Sequence, residues 1–309
     1  MPSVSVVIPT YNHQDYILET LASVFAQTFT DYEIIVVNDG SPDDTSEMLR
    51  PLVRQGRIRL IEQPNAGQAA ARNRGVAEAK GEFIALLDDD DVWPLEKLEW
   101  QVAAMRKSGY AAIGGITGFI EEGIFAAPCQ IDGPSEISVS SLFCGNPFHS
   151  PGQVLIRRSV LEAIGGFDES IWGADDLDLY MRIAMVGPIL HINRCALFYR
   201  THAANASNAV ERMFWNSRAV IKKNLGKLPM KARGNARRSA YRWLYCYAGR
   251  RVVEGSLRYP KRSLATVARI VVAMLKAAVL DKTLARDIAR DLMPRRLRMA
   301  VRSFLLRPA

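Results

Sequence analysis

Five apolar residues run straight into four aspartates: Phe83-Ile84-Ala85-Leu86-Leu87, then Asp88-Asp89-Asp90-Asp91. A short uninterrupted apolar run reads as a strand buried on both faces. Four consecutive carboxylates at its end repel one another and need compensation. Strand alternation would sort them into two pairs, Asp88 with Asp90 and Asp89 with Asp91. In isolation, such a run is as well explained by a solvated loop with helix-capping acids before Pro94. At the end of a buried strand, a divalent cation is the stronger reading. Mn²⁺ or Mg²⁺ takes hard oxygen ligands, often one or two carboxylates together with substrate phosphates.

The preceding sequence says where that strand sits. Val4-Ser5-Val6-Val7-Ile8 is a β-branched run closed by Pro9. Helical spacing of Ile17, Leu18, Leu21, Val24 and Phe25 predicts a helix over 14–27. A second strand over 33–37 leads into the loop Asn38-Asp39-Gly40-Ser41-Pro42, and a helix follows over 43–54. A third strand covers 57–61, and Asn65-Ala66-Gly67 opens an Ala-rich helix reaching about residue 79. This alternation predicts an α/β fold, a mostly parallel sheet with helices on both faces. Ligands on such a sheet bind outside the carboxyl ends of its strands. Three polar loops lie there: Thr10-Tyr11-Asn12, Asn38-Asp39-Gly40-Ser41 and the four aspartates. Asp39 suits hydrogen bonds from a base N–H or from ribose hydroxyls. No GxGxxG follows the first strand and no GxxxxGK[ST] occurs, so neither a dinucleotide fold nor a P-loop is supported.

Residues 110–200 are less regular, with strands over 110–120 and 153–157, a turn at Gly165-Gly166-Phe167-Asp168, a helix over 176–185 and an extended stretch over 188–199. Asp175-Asp176-Leu177-Asp178 sits at that helix start. One acid there complements the helix dipole; another can serve as a general base toward an acceptor hydroxyl. Arg72 suits either a phosphate or an ion pair. His202 is open to a structural or a ligating role.

Charge divides the chain. Its 309 residues carry a net +8, yet residues 1–210 hold 15 Lys/Arg against 27 Asp/Glu, and residues 211–309 hold 25 against 5. We therefore expect two domains, 1–212 and a basic helical region 213–309. Residues 264–280 are apolar except for a narrow stripe of Thr266, Arg269, Ala273 and Lys276 that Arg262 extends, the pattern of a helix lying in a membrane surface. Packing on the catalytic domain or on a second subunit, as a homo-oligomer, is the alternative. Arg237-Arg238, Arg250-Arg251 and Arg295-Arg296-Leu297-Arg298 add attraction to anionic lipid. Zinc-finger spacing, basic-zipper heptads and an aromatic-bearing sheet are missing from this region, which argues against a nucleic-acid partner. The N-terminus has no basic n-region, so a cytoplasmic location is expected, peripheral at the inner face of the cytoplasmic membrane. The cysteines Cys129, Cys144, Cys195 and Cys246 form no CxxC pair and read as reduced thiols.

Taken together, the motifs resemble the family 2 glycosyltransferases of GT-A fold over residues 4–207. The matching pieces are Val6-Val7-Ile8-Pro9-Thr10-Tyr11-Asn12, Val37-Asn38-Asp39-Gly40-Ser41, Asn65-Ala66-Gly67 with Ala71-Arg72-Asn73, and Leu87-Asp88-Asp89-Asp90-Asp91. Arg157-Arg158, Gly165-Gly166-Phe167-Asp168 and Tyr199-Arg200 with His202 follow in order. The resemblance implies a nucleotide-diphosphate sugar donor, usually of uridine, and an inverting displacement onto a glycan or lipid-linked acceptor in cell-envelope polysaccharide synthesis. It implies that Thr10, Tyr11 and Asp39 hold base and ribose, with Pro9, Asn12, Asn65 and Gly67 in the same nucleotide-binding loops. Asp88 and Asp90 match the outer positions of the DxD-type motif that serve ribose and a Mn²⁺ or Mg²⁺ ion, and Asp89 shares the nucleotide contacts. Arg72 matches a diphosphate-side position, and His202 one that closes over diphosphate or metal. The family's Gly-Glu-Asp-Trp-Asp base motif corresponds to Ala174-Asp175-Asp176-Leu177-Asp178, with Asp176 at the base position and Asp175 as second choice. A polyprenyl-phosphate acceptor, or a non-catalytic protein of the same fold, are the alternatives.

Overall fold

A computed structural model describes residues 1–126, 133–203, 205 and 208–248, with Val272. The chain divides into two compact units, Met1–Leu142 with Asn146–Asn205, and Phe143–Gly145 with Ala206–Ala309.

The first unit begins with the expected alternation: β1 (Val4–Thr10), α1 (Ile17–Phe25), β2 (Tyr32–Asn38), α2 (Thr45–Arg54), β3 (Arg59–Glu62), α3 (Gln68–Ala77) and β4 (Phe83–Leu86). It continues through α4 (Lys97–Arg106), β5 (Ala112–Glu121), β6 (Ile124–Ala126), β7 (Ser135–Ile137), α5 (Val139–Leu142), β8 (Val154–Arg157), α6 (Arg158–Ile164), α7 (Asp175–Val186) and β9 (Ile189–Arg200). Strand order is β3-β2-β1-β4-β8-β5-β9-β7, with β6 against β5. The first four strands are mutually parallel. β8 runs antiparallel between β4 and β5, and β9 is parallel to β5. The carboxyl ends of β1, β2, β4 and β9 therefore share one edge. Sequence patterning did not expose α4, α5, α6, β6 or β7; the last two are three-residue edge strands, too short for a periodic signal.

Residues of β1 alternate between two layers. Val4, Val6 and Ile8 join a core with Ile17, Leu21 and Val24 of α1 and with Leu98, Val102 and Met105 of α4. Val7 faces the other way, where Gly75 of α3 lies so close that a Cβ there would stand 2.3 Å from Val7 Cγ1. That absent side chain lets α3, the helix carrying Arg72, lie directly on the sheet. β1 also runs two residues beyond the expected stop at Ile8, through Pro9. The Val7 carbonyl accepts from Leu87 on the β4 side. Alternation puts Pro9 on that same side, where β4 has already ended, so its missing N–H breaks no ladder bond.

In the second unit, α8 (Val210–Leu225) and α9 (Met230–Arg242) are followed by a π-helical turn, Trp243–Ala248. Phe214, Ile221, Ala240 and Leu244 are buried, while Lys231, Arg233, Arg237, Arg238 and Arg242 of α9 are exposed. The expected interfacial helix over 264–280 and the clusters Arg250-Arg251 and Arg295-Arg296-Leu297-Arg298 lie outside the described residues. Among the described residues, no helix is long and apolar enough to cross a membrane. Cys144 and Cys195 are not in disulfides.

Replacing Gly75 by Ala tests the close contact of α3 with the sheet. Helix propensity alone would favour Ala by about 1 kcal/mol. Overpacking against the stiff Val7 side chain costs about 1–3 kcal/mol and should win, giving net destabilisation in urea unfolding.

Candidate active site

Two loops at the carboxyl edge are held together by Asp39. Its backbone N–H donates to the Thr10 carbonyl at 2.9 Å. One carboxylate oxygen accepts from Ala66 N and Gln63 Nε2, both at 2.8 Å, and the other from Gly67 N at 2.8 Å. Asp39 is thus the organiser of the Asn65-Ala66-Gly67 turn ahead of α3, a use of its carboxylate that the sequence did not suggest. Gly40 has φ +73°, and a Cβ there would meet Asn65 N at 2.9 Å, so the turn also needs this glycine. Beyond Pro9 and the buried Thr10, Tyr11 is exposed. Asn12 takes φ 58° and donates from its backbone to Ser41 Oγ at 3.0 Å. Pro9, Thr10, Tyr11, Asn12, Asp39, Asn65 and Gly67 thus lie on adjoining loops.

The four aspartates do not continue the strand. β4 stops at Leu86, and Asp91 N closes a turn onto Asp88 O at 3.2 Å. The expected two-and-two alternation fails for this reason, and each carboxylate meets a different partner. Asp88 accepts from Arg72 at 2.6 Å, Ser150 Oγ at 3.1 Å and Gln68 Nε2 at 3.3 Å. Asp89 accepts from Tyr11 N at 3.2 Å and pairs with His13 Nδ1 at 2.8 Å. Asp90 pairs with His202 Nε2 at 2.9 Å. Asp91, fully buried, accepts from Arg200 N at 3.0 Å. The turn is pinned from outside: Thr20 Oγ1 donates to the carbonyls of Asp89 and Asp91, and Arg200 Nε to that of Asp90. Val92 also bridges to Phe198 of β9, although β8 and β5 separate β4 from β9 in the sheet.

Crowded carboxylates in a dry setting shift one another's proton affinity. Burial, with Asp90 and Asp88 adding to it, pushes Asp91 well above the usual carboxylate range. Burial also raises Asp89, against the opposing hydrogen bond from His13. His13 moves up to about 9, chiefly through its hydrogen bond to Asp89. This edge therefore has a strong preference for positive charge. His13, Asp90 and His202 each offer one ligand atom, all within 4.8 Å of one another. Imidazole nitrogens with a carboxylate oxygen suit a divalent transition ion, so the residues fit a cation. Asp88 is not one of this trio; its oxygens accept from Arg72, Ser150 and Gln68, three of a carboxylate's roughly four acceptor sites.

Arg72 joins the aspartate turn to α7. It is only 2% exposed, and its two terminal nitrogens donate to Asp88 and Asp175, each at 2.6 Å. The next residue, Asp176, is partly exposed. It accepts from Asn146 Nδ2 at 2.9 Å and from Leu177 N at 2.7 Å. Burial, with neighbouring Asp175 adding to it, raises Asp176 to about 7.

Sequence reasoning missed His13, Ser150 and Asn146 as members of the site, and it named Arg200 only as part of the Tyr199-Arg200 motif, without a role. His13 directly follows the Thr10-Tyr11-Asn12 loop, and a polar residue at that edge was an available signal. Asn146 and Ser150 lie on an irregular stretch where no periodicity points to the sheet edge.

The fold is of GT-A type. S. aureus TarS residues 1–349, solved in complex with UDP-GlcNAc, superposes with a TM-score of 0.72 over 93% of this chain and 84% of that one, at 18% identity. The mannosyltransferase PcManGT of Pyrobaculum calidifontis, in complex with GDP-Man and Mn²⁺, gives 0.59 over 93% and 83%, at 21% identity. At such identities the likeness is one of fold. The profile of Glycosyl transferase family 2 matches residues 5–165, and that of Glycosyltransferase like family 2 matches 143–236. The chain belongs to glycosyl transferase family 2. An uncharacterized glycosyltransferase of Nostoc sp. is 34% identical over 212 residues, 65% of this chain and 66% of its own. Chondroitin synthase of Escherichia coli is 28% identical over 249 residues, 75% of this chain but 34% of that protein. The chain spans just under two thirds of the Nostoc relative and 18% of a Rickettsia felis glycosyltransferase that it matches at 41% identity over 107 residues.

Arg72→Met should leave buried Asp175 and partly buried Asp88 without their counter-ion and destabilise the fold, by up to about 3–5 kcal/mol in chemical denaturation. Arg72→Lys should recover only part of this, because one ammonium does not reproduce the two-armed fork.

Proposed function

We propose that this protein transfers a sugar with inversion from a nucleoside-diphosphate donor, a UDP-sugar in the first instance, to an acceptor hydroxyl on a glycan or lipid-linked glycan of the cell envelope. The observation that carries the reading is the guanidinium of Arg72. It holds Asp88, on the donor-side turn, and Asp175, on the acceptor-side helix, each at 2.6 Å. Nucleotide-side and base-side carboxylates thereby stand on either side of a single group.

In this reading the Pro9-Thr10-Tyr11-Asn12 loop, Asp39 and the Asn65–Gly67 turn bind base and ribose, with Asp88 and Asp89 beside them. Exposed Tyr11 offers a ring face to the base, and Asp39, with one of its roughly four acceptor sites still open, takes a further donor from base or ribose. Asp90 and His202, with Asp88 alongside, would hold Mn²⁺ or Mg²⁺. When bound, that ion supplies positive charge to a departing diphosphate. Arg72 contributes by fixing both flanking carboxylates.

Asp176 is the general base. It removes the acceptor hydroxyl proton as that oxygen bonds to the anomeric carbon and the bond to the diphosphate oxygen breaks on the opposite face. Its proton affinity near neutrality matches a base working near pH 7. Asp175 suits the role less, because its carboxylate is committed to Arg72. A base poised in this way also favours a hydroxyl acceptor over a polyprenyl phosphate, which is already ionised. The exposed basic residues of α9 support contact with an anionic membrane surface, at the cytoplasmic face in this reading.

Asp176→Asn should bind UDP as the parent does and lose transfer by about 10²–10⁴-fold, measured with a radiolabelled UDP-sugar panel. Full transfer by this variant would refute the assignment. Only ionised Asp176 accepts a proton, so kcat/KM should rise with pH and level off above about 7. In the variant's residual activity that limb should be missing. Binding of GDP or dTDP in preference to UDP, read by calorimetry, would move the donor away from uridine.

A further inference from the structure

We propose that His13 is a third protein ligand, completing with Asp90 and His202 a site that takes a transition-metal ion before any nucleotide arrives. The inference rests on the metal reading above but adds a residue, an ion preference and an order of binding to it.

The three side chains come from separate parts of the chain: His13 from the loop between β1 and α1, Asp90 from the turn after β4, and His202 from just beyond β9. They converge within 4.8 Å with no nucleotide present, so the protein itself supplies the convergence. Each imidazole is also held by neighbours. His13 Nδ1 is fixed at 2.8 Å by Asp89, which leaves Nε2 as the nitrogen for an ion. A carboxylate on the far nitrogen of a ligating histidine sets its tautomer and ring direction and strengthens it as a donor. The His13 ring stands edge-on to Tyr16 and His202, with centroids 5.8 and 5.6 Å away. Tyr16 lies 5.0 Å from the His202 ring, and Arg200 lies over Tyr16. Asn205 receives a hydrogen bond from His202 N and reaches Asp90 at 3.5 Å. Both rings are thus placed by packing and hydrogen bonds, and little ordering remains to be done when an ion enters.

The donor set then decides which ion. Two imidazoles with one carboxylate suit Mn²⁺, Co²⁺ or Zn²⁺, whereas Mg²⁺ prefers oxygen and keeps several waters. A site built from carboxylates and the donor's own phosphates would bind its ion only together with nucleotide. Three protein ligands remove that requirement.

The test uses the whole protein, stripped with chelator, and Mn²⁺ as probe, followed by electron paramagnetic resonance without nucleotide. Saturable loss of the free-ion signal is expected, at least tenfold weaker in His13→Gln and in His202→Gln, with Mg²⁺ a poor competitor. Spin-echo modulation should show two imidazole nitrogens on the ion in the parent, dropping to one in His13→Gln. The parent spectrum decides the matter even where a variant fails to fold. Mn²⁺ binding only after UDP or GDP is added, or only one imidazole in the parent, would overturn this inference and leave the proposed transfer reaction standing. No Mn²⁺ binding with or without nucleotide would overturn the metal reading as well.

Discussion

A single buried guanidinium sets the geometry of the site. Arg72 is almost without solvent, and its terminal nitrogens each meet one carboxylate at 2.6 Å, Asp88 on one side and Asp175 on the other. Desolvating a charge costs several kcal/mol, and attraction in a low-dielectric setting repays it only when partners and hydrogen bonds are both in place. The side chain therefore tolerates little displacement of either partner. Gly75, one turn along α3, lets the helix settle on the sheet and brings Arg72 to that position. One guanidinium against two carboxylates leaves this trio a net negative charge; Asp176, next to Asp175, and Asp90, two residues beyond Asp88, are left outside it for proton and cation.

The aspartate turn illustrates how like charges are kept apart without losing proximity. Ending β4 at Leu86 turns the next four side chains in different directions, toward Arg72, His13, His202 and the Arg200 backbone. Hydrogen bonds from Thr20 and Arg200 to the turn's own carbonyls hold that arrangement. Repulsion that would open a free loop is instead converted into an attraction for cations at one place. Asp176 is governed by the opposite balance, burial and Asp175 raising it while Arg72, Asn146 and the Leu177 N–H hold the rise to about 7.

The first four strands and three helices were legible because each announces itself locally, the strands as short, mostly apolar runs and the helices by helical spacing, composition and their start signals. The loops at their carboxyl ends were legible for the same reason, since parallel strands must present those ends on one edge. Less was visible beyond residue 90. Asn146 and Ser150 reach Asp176 and Asp88 from a stretch without periodicity. Arg200 acts on the aspartate turn across two intervening strands, and such long-range pairing leaves no local trace. Asp39 was visible as an acid at a strand end, but its three hydrogen bonds to the 63–67 turn depend on how β2 and α3 come together.

By itself, the sequence determined the α/β class, the edge at which ligands bind, the family motifs and the charge contrast between residues 1–210 and 211–309, because these depend on periodicity, turn chemistry and composition. Tertiary structure alone decided which aspartate faces which partner. It brought His13 beside Asp90 and His202, tied Asp175 to Arg72 and left Asp176 near neutral proton affinity. Those outcomes depend on distances between residues 16 to 112 positions apart and on how much water remains around each carboxylate. Neither quantity is written in any local stretch of chain.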